Sequence, residues 1–253
     1  MTSGEFTDIC QNIARLSDPD RFFCAMFLSE PARRGAFVLI AFNHEITRAL
    51  APAVSSEVAG PLAGYIRLQW WRDIIGGARF THEVASPLSE LLDGGQVSGR
   101  TLQGVLDARE AELSGLSDDE AWLRSMRCGP GGLQRAMGEL CGVTDEATLA
   151  GLEAAGAAYG TGSLLRHLPA VLRSGRRALP ERFSSGEATP EAASWLREQG
   201  KAFLRDATAA HGPAALPRVL ARRDLKRKPV TGEAARGLGD RLALGFAGLR
   251  SRF

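Results

Sequence analysis

The longest apolar run of this chain spans residues 32–50, and it constrains the fold more than any other stretch. Its middle, FVLIAF at residues 37–42, is apolar on every face, which is typical of a helix enclosed by other helices. Pro31 suits a first helical position, and Ser29 is placed to cap it. The run ends in polar residues at 43–48. The pattern therefore predicts a buried core helix whose last turns face a cavity.

The rest of the chain repeats apolar residues at helical spacing and shows no alternating strand pattern. We predict about ten helices and essentially no sheet. The predicted helices include residues 5–16, 60–77, 87–93, 100–113, 147–172, 190–211 and 232–251. Because a chain of 253 residues is long enough to bury a large core, we predict one all-α domain over residues 1–253.

Start signals mark three of these helices. Ser55 or Ser56 is expected to cap the helix at 60–77. Asp145, between Thr144 and Glu146, begins the helix at 147–172, and Thr189 with Pro190 and Glu191 begins the helix at 190–211.

Five further predictions concern the ends and faces of the helices. Ser117 followed by Glu120 indicates a capping box. The CGPGG segment at 128–132 predicts a break in the chain, and Pro169 predicts a kink or an end in its helix. One apolar stripe is predicted on the helix at 60–77, formed by Leu62, Ile66, Trp70 and Ile74. Gly76 and Gly77 are expected to end that helix.

Charge and cysteine content restrict the classes of function. Residues 197–253 hold 13 Lys/Arg against 5 Asp/Glu, and such a basic end suits an anionic membrane surface, an acidic protein or nucleic acid. Four cysteines without a C-x-x-C pair indicate neither a zinc site nor a disulfide framework. There is no signal-peptide pattern and no apolar run near the ~20 residues that span a bilayer. We expect a soluble or peripheral protein.

One block of the chain, FFCAMFLSEPARRGAFVLIAF at residues 22–42, contains an Arg pair before its apolar run. In this it resembles the first block of the squalene and phytoene synthase family. RLQWWRDII, at 67–75, resembles the L-x-x-W-R-x-E helix, and VLDAREAEL, at 105–113, lies where the family has D-x-x-E-x-D. TGSLLRHLPAVLRSGRRALP, at 161–180, follows T-N-I-L-R-D and G-R-x-Y-L-P. The blocks occur in the family's order over roughly residues 10–225.

This resemblance implies an all-α isoprenoid synthase fold, a helical bundle with a central cavity. In the family, two Asp-rich motifs hold magnesium, which neutralises a diphosphate leaving group. The first motif falls here on Thr47, Arg48, Ala49, Leu50 and Ala51. The second falls on His167 and Val171, with Ser163 in place of the asparagine. With these carboxylates missing, we predict no catalytic residue, no metal and no cofactor; magnesium is expected only if prenyl transfer survives.

AFNHEI at 41–46, RLQWWRDII at 67–75 and LLRHLPAVLRSGRRALP at 164–180 are also similar to the phytoene-synthase-like assembly factors of mitochondrial respiratory complex I. That similarity implies a non-catalytic role in assembling NADH-quinone oxidoreductase, with complex I subunits or assembly intermediates as partners. The predicted location is the cytoplasm, with a peripheral position at the inner face of the membrane. Two alternatives stay open: a head-to-head prenyl transferase, and a non-catalytic isoprenoid binder.

The candidate cavity residues are Asn43, His44, Thr47, Arg48, Arg67, Trp71, Ser163, Arg166 and His167. Each also has an ordinary structural interpretation. His44 with Glu45 and His167 suits a replacement metal site, but adjacent helical residues point about 100° apart. Arg48 and Arg166 are suited to bind a diphosphate or carboxylate bidentately. The ordinary alternative is that they form local ion pairs. Trp71 suits core packing as well as a ligand contact.

One basic run remains after these candidates, and it comprises Arg222, Arg223, Lys226, Arg227 and Lys228. It lacks interleaved aromatic residues and any nucleic-acid-binding motif, so we predict no nucleic-acid partner. A solvated face is the simplest interpretation. Contact with anionic lipid or with a protein partner is the alternative.

Overall fold

The computed structural model describes residues 3–50, 59–183, 188–227 and 236–251. Within these ranges the chain forms twelve α-helices and no β-strand, apart from an isolated bridge between Leu116 and Pro180. The helices are α1 (Ser3–Ser17), α2 (Pro19–Ala25), α3 (Glu30–Thr47), α4 (Ala59–Ile75), α5 (Ala85–Asp93), α6 (Gly99–Ser114), α7 (Asp119–Met126), α8 (Gly132–Leu140), α9 (Glu146–Arg173), α10 (Pro190–Asp206), α11 (Pro217–Asp224) and α12 (Leu238–Arg250). The all-α prediction is confirmed.

Helix α3 is the buried core helix that its apolar run predicts. Its residues 35–42 are all buried, and α1, α5 and α8 pack around it. Phe37 stacks on Phe22 of α2 with ring centroids 5.0 Å apart. Ser29 is the residue before the helix, but its side chain makes no capping hydrogen bond. Pro31 in the first turn therefore contributes more to the start of the helix than the serine does.

Helix α4 buries only the C-terminal half of the predicted stripe. Leu62 and Ile66 are exposed, whereas Ile74 is buried and Trp70 is partly buried. The other buried residues of this helix include Leu68 and Trp71. The reason is Gly64, since a Cβ there would lie 2.6 Å from the carbonyl oxygen of residue 49. The helix therefore packs against residue 49 at Gly64, and the residues on the same stripe as Gly64, which include Leu68 and Trp71, are buried. The predicted serine cap of this helix lies outside the described residues.

The CGPGG segment does not break the chain. Arg127–Gly131 forms one π-helical turn that joins α7 to α8. A wider turn accommodates Pro130 inside a helical path, and π-turns of this kind occur as bulges within α-helices. The helix start is also shifted from the predicted capping box, because Asp118, not Ser117, is the N-cap. Its carboxylate accepts a hydrogen bond from the Ala121 backbone N–H at 2.7 Å.

Helix α9 is the longest element, with 28 residues. Asp145 caps it, as predicted, by accepting from the Thr148 backbone N–H at 2.8 Å. Pro169 lies inside the helix and does not end it. The proline removes one helical hydrogen bond, but Leu168 is buried and Leu172 packs against the same apolar cluster, so the flanking turns stay in place.

Two large buried clusters surround these helices. One is centred on α3 and includes Phe42 and Trp71, whose rings meet edge to face at 5.2 Å. The other lies around α9, α10 and α11 and includes Trp122 and Phe203. In the ranges that the structure describes, no helix is long and apolar enough to cross a bilayer. A cavity opens between helices of both clusters.

Candidate functional site

The cavity has a volume of about 1090 Å³ and takes its wall mainly from α2, α3, α6, α9 and α12. Its apolar wall residues include Phe22, Phe23, Met126, Pro130, Leu164, Val171, Leu220 and Leu244. Its ionisable wall residues are Arg15, Asp18, Asp20, Arg21, Arg109, Glu112, Tyr159, Arg166, His167, Arg176, Arg236, Asp240 and Arg241. The cavity thus combines apolar surface with an excess of guanidinium groups.

Five of the predicted site residues line this cavity. Asn43 and Thr47 come from α3, whereas Ser163, Arg166 and His167 come from α9. Residues four apart on a helix lie on one face, which explains why Asn43 and Thr47 face the cavity together. Phe22 and Phe23 of the family-like block at residues 22–42 line the same cavity, so this block and the block at 161–180 meet at one site.

The other four predicted residues lie away from the cavity wall. His44 is turned about 100° from Asn43 around the helix axis. Arg48 is exposed and pairs with Glu45 at 3.2 Å. Arg67 donates a hydrogen bond to the Arg48 backbone carbonyl at 2.9 Å. The last of the four, Trp71, is buried in the α3 cluster, so its ordinary core interpretation describes its position.

An aspartate, an arginine and a tyrosine form the first polar group of the cavity. Arg21 Nη1 donates to Asp18 Oδ2 at 2.9 Å, and the guanidinium carbon lies 4.5 Å from the centre of the Tyr159 ring. Burial alone would lower the pKa of Arg21, but Asp18 and Tyr159 outweigh it and raise that pKa. Burial, followed by the charge of Asp18, raises the pKa of Tyr159. Arg21 is therefore a fixed cation and Tyr159 a neutral phenol.

The second polar group lies on α6 and links it to α3. Arg109 Nη2 donates to the Asn43 side-chain oxygen at 3.0 Å, and Nη1 lies 3.4 Å from Glu112. Glu112 also accepts from Arg176 at 2.7 Å. Burial, partly offset by Glu112, lowers the pKa of Arg109 to about 10, so this guanidinium keeps its charge at neutral pH.

The third polar group joins α2, α9, α11 and α12, and it adjoins the first group because the Tyr159 hydroxyl donates to Asp20 at 3.4 Å. Arg236 binds Asp224 through both terminal nitrogens, at 2.5 and 2.7 Å, and its Nε donates to Asp20 at 2.8 Å. Arg166 also donates to Asp20, at 3.2 Å. Asp240 at the start of α12 accepts from Arg227 at 2.6 Å, and from Arg223. Arginines thus hold α2, α11 and α12 together.

Most of these residues were missed by the sequence-based prediction. Asp18 with Arg21 and Arg109 with Glu112 are three apart, and such helical pairs are visible in a sequence. The partners of Arg236 carry no such signal, because Asp20 lies 216 residues earlier. Only the tertiary structure brings those two together.

Two of the buried arginines keep unused hydrogen-bond donors. Arg21 Nε and Nη2, and Arg109 Nε, are buried and have no hydrogen-bond partner among the described residues. The two residues are only 8% and 9% exposed, and both line the cavity. Buried N–H groups are nearly always paired, and an anionic group in the cavity would supply the missing acceptors.

The sequence was compared with known protein families. The squalene/phytoene synthase family model matches residues 14–227. The chain belongs to the squalene/phytoene synthase family. It is 27% identical over 117 residues to a Bos taurus protein, NADH dehydrogenase (ubiquinone) complex I, assembly factor 6; this match covers 45% of the chain and 32% of that relative.

Solved structures of similar proteins identify the fold. A dehydrosqualene synthase in complex with ligand superposes with a TM-score of 0.73 at 10% identity, covering 98% of this chain and 97% of that chain. Squalene synthase HpnC from Alicyclobacillus acidocaldarius gives a TM-score of 0.65 at 14% identity, covering 98% and 95%. The chain therefore has the all-α isoprenoid synthase fold, as its resemblance to the family implies.

Magnesium, which the family's chemistry implies, does not fit the cavity of this chain. Among the described residues, four carboxylates line it, and each is bound by at least one arginine: Asp18, Asp20, Glu112 and Asp240. Magnesium needs carboxylate oxygens in near-ideal octahedral geometry, and these oxygens already accept from guanidinium groups. Within the same described ranges, no group of three or more His, Cys, Asp or Glu is placed to hold a metal ion.

Proposed function

We propose that this protein is a non-catalytic member of the squalene/phytoene synthase family that acts in the assembly of respiratory complex I. The proposal that the protein is non-catalytic rests on one observation, which is the pairing of the four cavity carboxylates with arginine. Each is neutralised by arginine, so none is available to hold the metal that ionisation of an allylic diphosphate requires.

The residues at the family's metal positions support the same proposal. Thr47 and Arg48 stand in the first motif, and His167 and Val171 stand in the second. Thr47 donates its hydroxyl to the Asn43 backbone carbonyl at 2.7 Å. None of these four side chains carries a carboxylate, and Arg48 adds positive charge at that end of α3.

The assembly role rests on similarity to assembly factor 6. The aligned part spans about a third of that relative's length, so the role comes to this chain as a proposal. We place the protein in the cytoplasm, at the inner face of the membrane, with complex I subunits or assembly intermediates as partners.

Gene deletion tests this proposal. We expect deletion to lower NADH oxidation by isolated membranes and to reduce intact complex I on native gels, while succinate oxidation stays unchanged. A plasmid copy of the gene should restore both. Normal NADH oxidation and normal complex I levels in the deletion strain would rule out the assembly role.

Prenyl transfer is the competing function, and family membership and fold favour it. Purified protein incubated with farnesyl or geranylgeranyl diphosphate and magnesium should give no head-to-head product. A squalene- or phytoene-type product, absent from a boiled control, would establish catalysis and overturn the non-catalytic part of the proposal.

A third candidate is an isoprenoid binder without chemistry, which the apolar cavity wall and the unused donors of Arg21 and Arg109 favour. Calorimetry with farnesyl diphosphate in EDTA should then show binding that Arg21→Met weakens at least tenfold. Arg124→Met is the matched control, because Arg124 pairs with Glu120 on the surface. Equal binding by wild type and both variants, or none by wild type, would exclude this cavity site.

A further inference from the structure

Helix α12 presents an apolar stripe to solvent. Leu238, Leu242, Phe246 and Leu249 are 74%, 52%, 69% and 56% exposed. At 100° per residue these four positions fall within about 80° of the helix circumference. Single exposed apolar residues are ordinary on a protein surface, but four in one continuous stripe indicate a surface that binds something.

The opposite face of α12 fixes the direction in which this stripe points. Asp240, Leu244 and Gly248 are buried along that face. A Cβ on Gly248 would lie 2.3 Å from the Phe27 ring, so the helix backbone packs directly on the residue that follows α2 by two positions. Asp240 is held by Arg227 at 2.6 Å. The helix therefore cannot turn its stripe inward without losing these contacts.

The exposed charges around the stripe are positive. Arg241 and Arg250 are exposed, and on a helical projection they flank the stripe on either side. Within the described residues 236–251 the single carboxylate, Asp240, is only 1% exposed. Lys226 is exposed between Arg223 and Arg227, which both bind Asp240, so it adds charge at the beginning of α12.

We propose that α12 docks this protein on an anionic lipid bilayer through the stripe formed by Leu238, Leu242, Phe246 and Leu249. Leucine and phenylalanine insert at the boundary between head groups and acyl chains, while flanking arginines contact lipid phosphates. Each basic residue near an anionic leaflet adds to the attraction. The exposed Arg241 and Arg250 favour an anionic occupant. Because the stripe itself offers no hydrogen-bonding side chain, the acyl-chain boundary of a bilayer suits it better than the polar surface of an acidic protein.

Docking in this way brings the cavity close to the bilayer. Arg241 and Leu244 of α12 line the cavity, whereas Leu242 between them faces outward. The helix that would contact lipid is therefore also a wall of the cavity. This inference does not depend on a role in complex I assembly, and the test uses the purified protein alone.

Vesicle sedimentation provides the test. The full chain is incubated with vesicles of pure phosphatidylcholine, or with vesicles that also contain about 30% phosphatidylserine, an anionic lipid that attracts basic segments. We expect sedimentation with the anionic vesicles only, and its loss in high salt. The variant Leu242→Ser with Phe246→Ser should lower the sedimented fraction at least tenfold.

The matched control is Leu62→Ser with Ile66→Ser on α4. These residues are also apolar, four apart and similarly exposed, at 61% and 62%, and this variant should bind vesicles as the wild type does. The proposal is overturned if the wild type stays in the supernatant or if both double variants lose binding equally. It is also overturned if light scattering shows a dimer that only the α12 variant dissociates, since the stripe would then join two copies.

Discussion

Arg236 and Asp224 form a bidentate ion pair inside the protein. Nη1 and Nη2 of the arginine lie 2.5 and 2.7 Å from the two carboxylate oxygens. The Asp224 side chain is fully buried, and that of Arg236 is only 7% exposed. The same arginine donates to Asp20 on α2. One side chain therefore connects the start of α12 to both α11 and α2.

Replacing this arginine should strongly destabilise the fold. Arg236→Met leaves Asp224 and Asp20 buried with fewer cationic partners, and removal of one partner from a buried pair costs about 3–5 kcal/mol of unfolding free energy. Urea denaturation followed by circular dichroism measures the change. The control is Arg34→Met, whose pair with Glu30 is exposed and should contribute less than about 1 kcal/mol. Equal losses in the two variants would contradict the prediction.

His167 should make stability depend on pH. Burial, with the charges of Arg166 and Arg236, lowers its pKa in the folded protein. The unfolded chain therefore takes up the proton first as the pH falls, and the free energy of unfolding decreases below the ordinary histidine pKa of about 6.5. His167→Asn should flatten the curve between about pH 7.5 and 5.5.

The comparison for this experiment is His211→Asn. His211 is exposed and its Nδ1 lies 2.9 Å from the backbone carbonyl of residue 209, so this variant removes a surface imidazole and leaves His167 and the arginines around it unchanged. Urea unfolding at a series of pH values gives both curves. If the free energy of unfolding of the His167→Asn variant depends on pH as that of the wild type does, other groups cause the dependence.

Two glycines should respond to alanine with opposite signs. A Cβ on Gly156 would lie 2.4 Å from the Pro130 carbonyl oxygen and 2.5 Å from the Gln134 Cβ, so Gly156→Ala should cost about 1–3 kcal/mol by overpacking α9 against the π-turn. Gly245 on α12 has nothing within 4 Å. Gly245→Ala should stabilise by up to about 1 kcal/mol through helix propensity. Thermal melting of both variants measures these changes in stability. A Gly156→Ala variant that melts at a higher temperature than the wild type would mean that α9 does not pack this closely on the π-turn.

Trp71 should behave as a core residue. It is 1% exposed and contacts Phe42 edge to face, so Trp71→Ala should lower the free energy of unfolding by about 3–5 kcal/mol. Phe80→Ala removes an exposed aromatic side chain from the same region and should have a much smaller effect. A folded, stable Trp71→Ala protein with altered cavity binding would instead place this tryptophan at the site.

Local rules allowed much of this fold to be predicted. The core position of α3 follows from its run of apolar residues at 37–42, and the caps Asp145 and Thr189 accept the backbone hydrogen bonds that their positions predict. Helical spacing also placed Asn43 and Thr47 on one face. These features depend on residues within about one or two helical turns, which a sequence displays directly.

Other features depend on contacts between distant residues. The buried face of α4 is set by the approach of Gly64 to residue 49, and CGPGG stays helical because α9 packs against Pro130. The arginine network could not be predicted, since Arg236 meets Asp20 only after the nine described helices between them, α3 to α11, have folded.

The sequence alone determined the all-α class and the family, because composition, periodicity and block order do not depend on folding. That the two family motifs lack carboxylates stays a prediction from the resemblance. Only the tertiary structure decided what the cavity contains. It brought Asp18, Asp20, Glu112 and Asp240 into the wall, and it paired the last three with arginines from other parts of the chain. Buried charges require partners, and the identity of a partner is fixed by which helices meet.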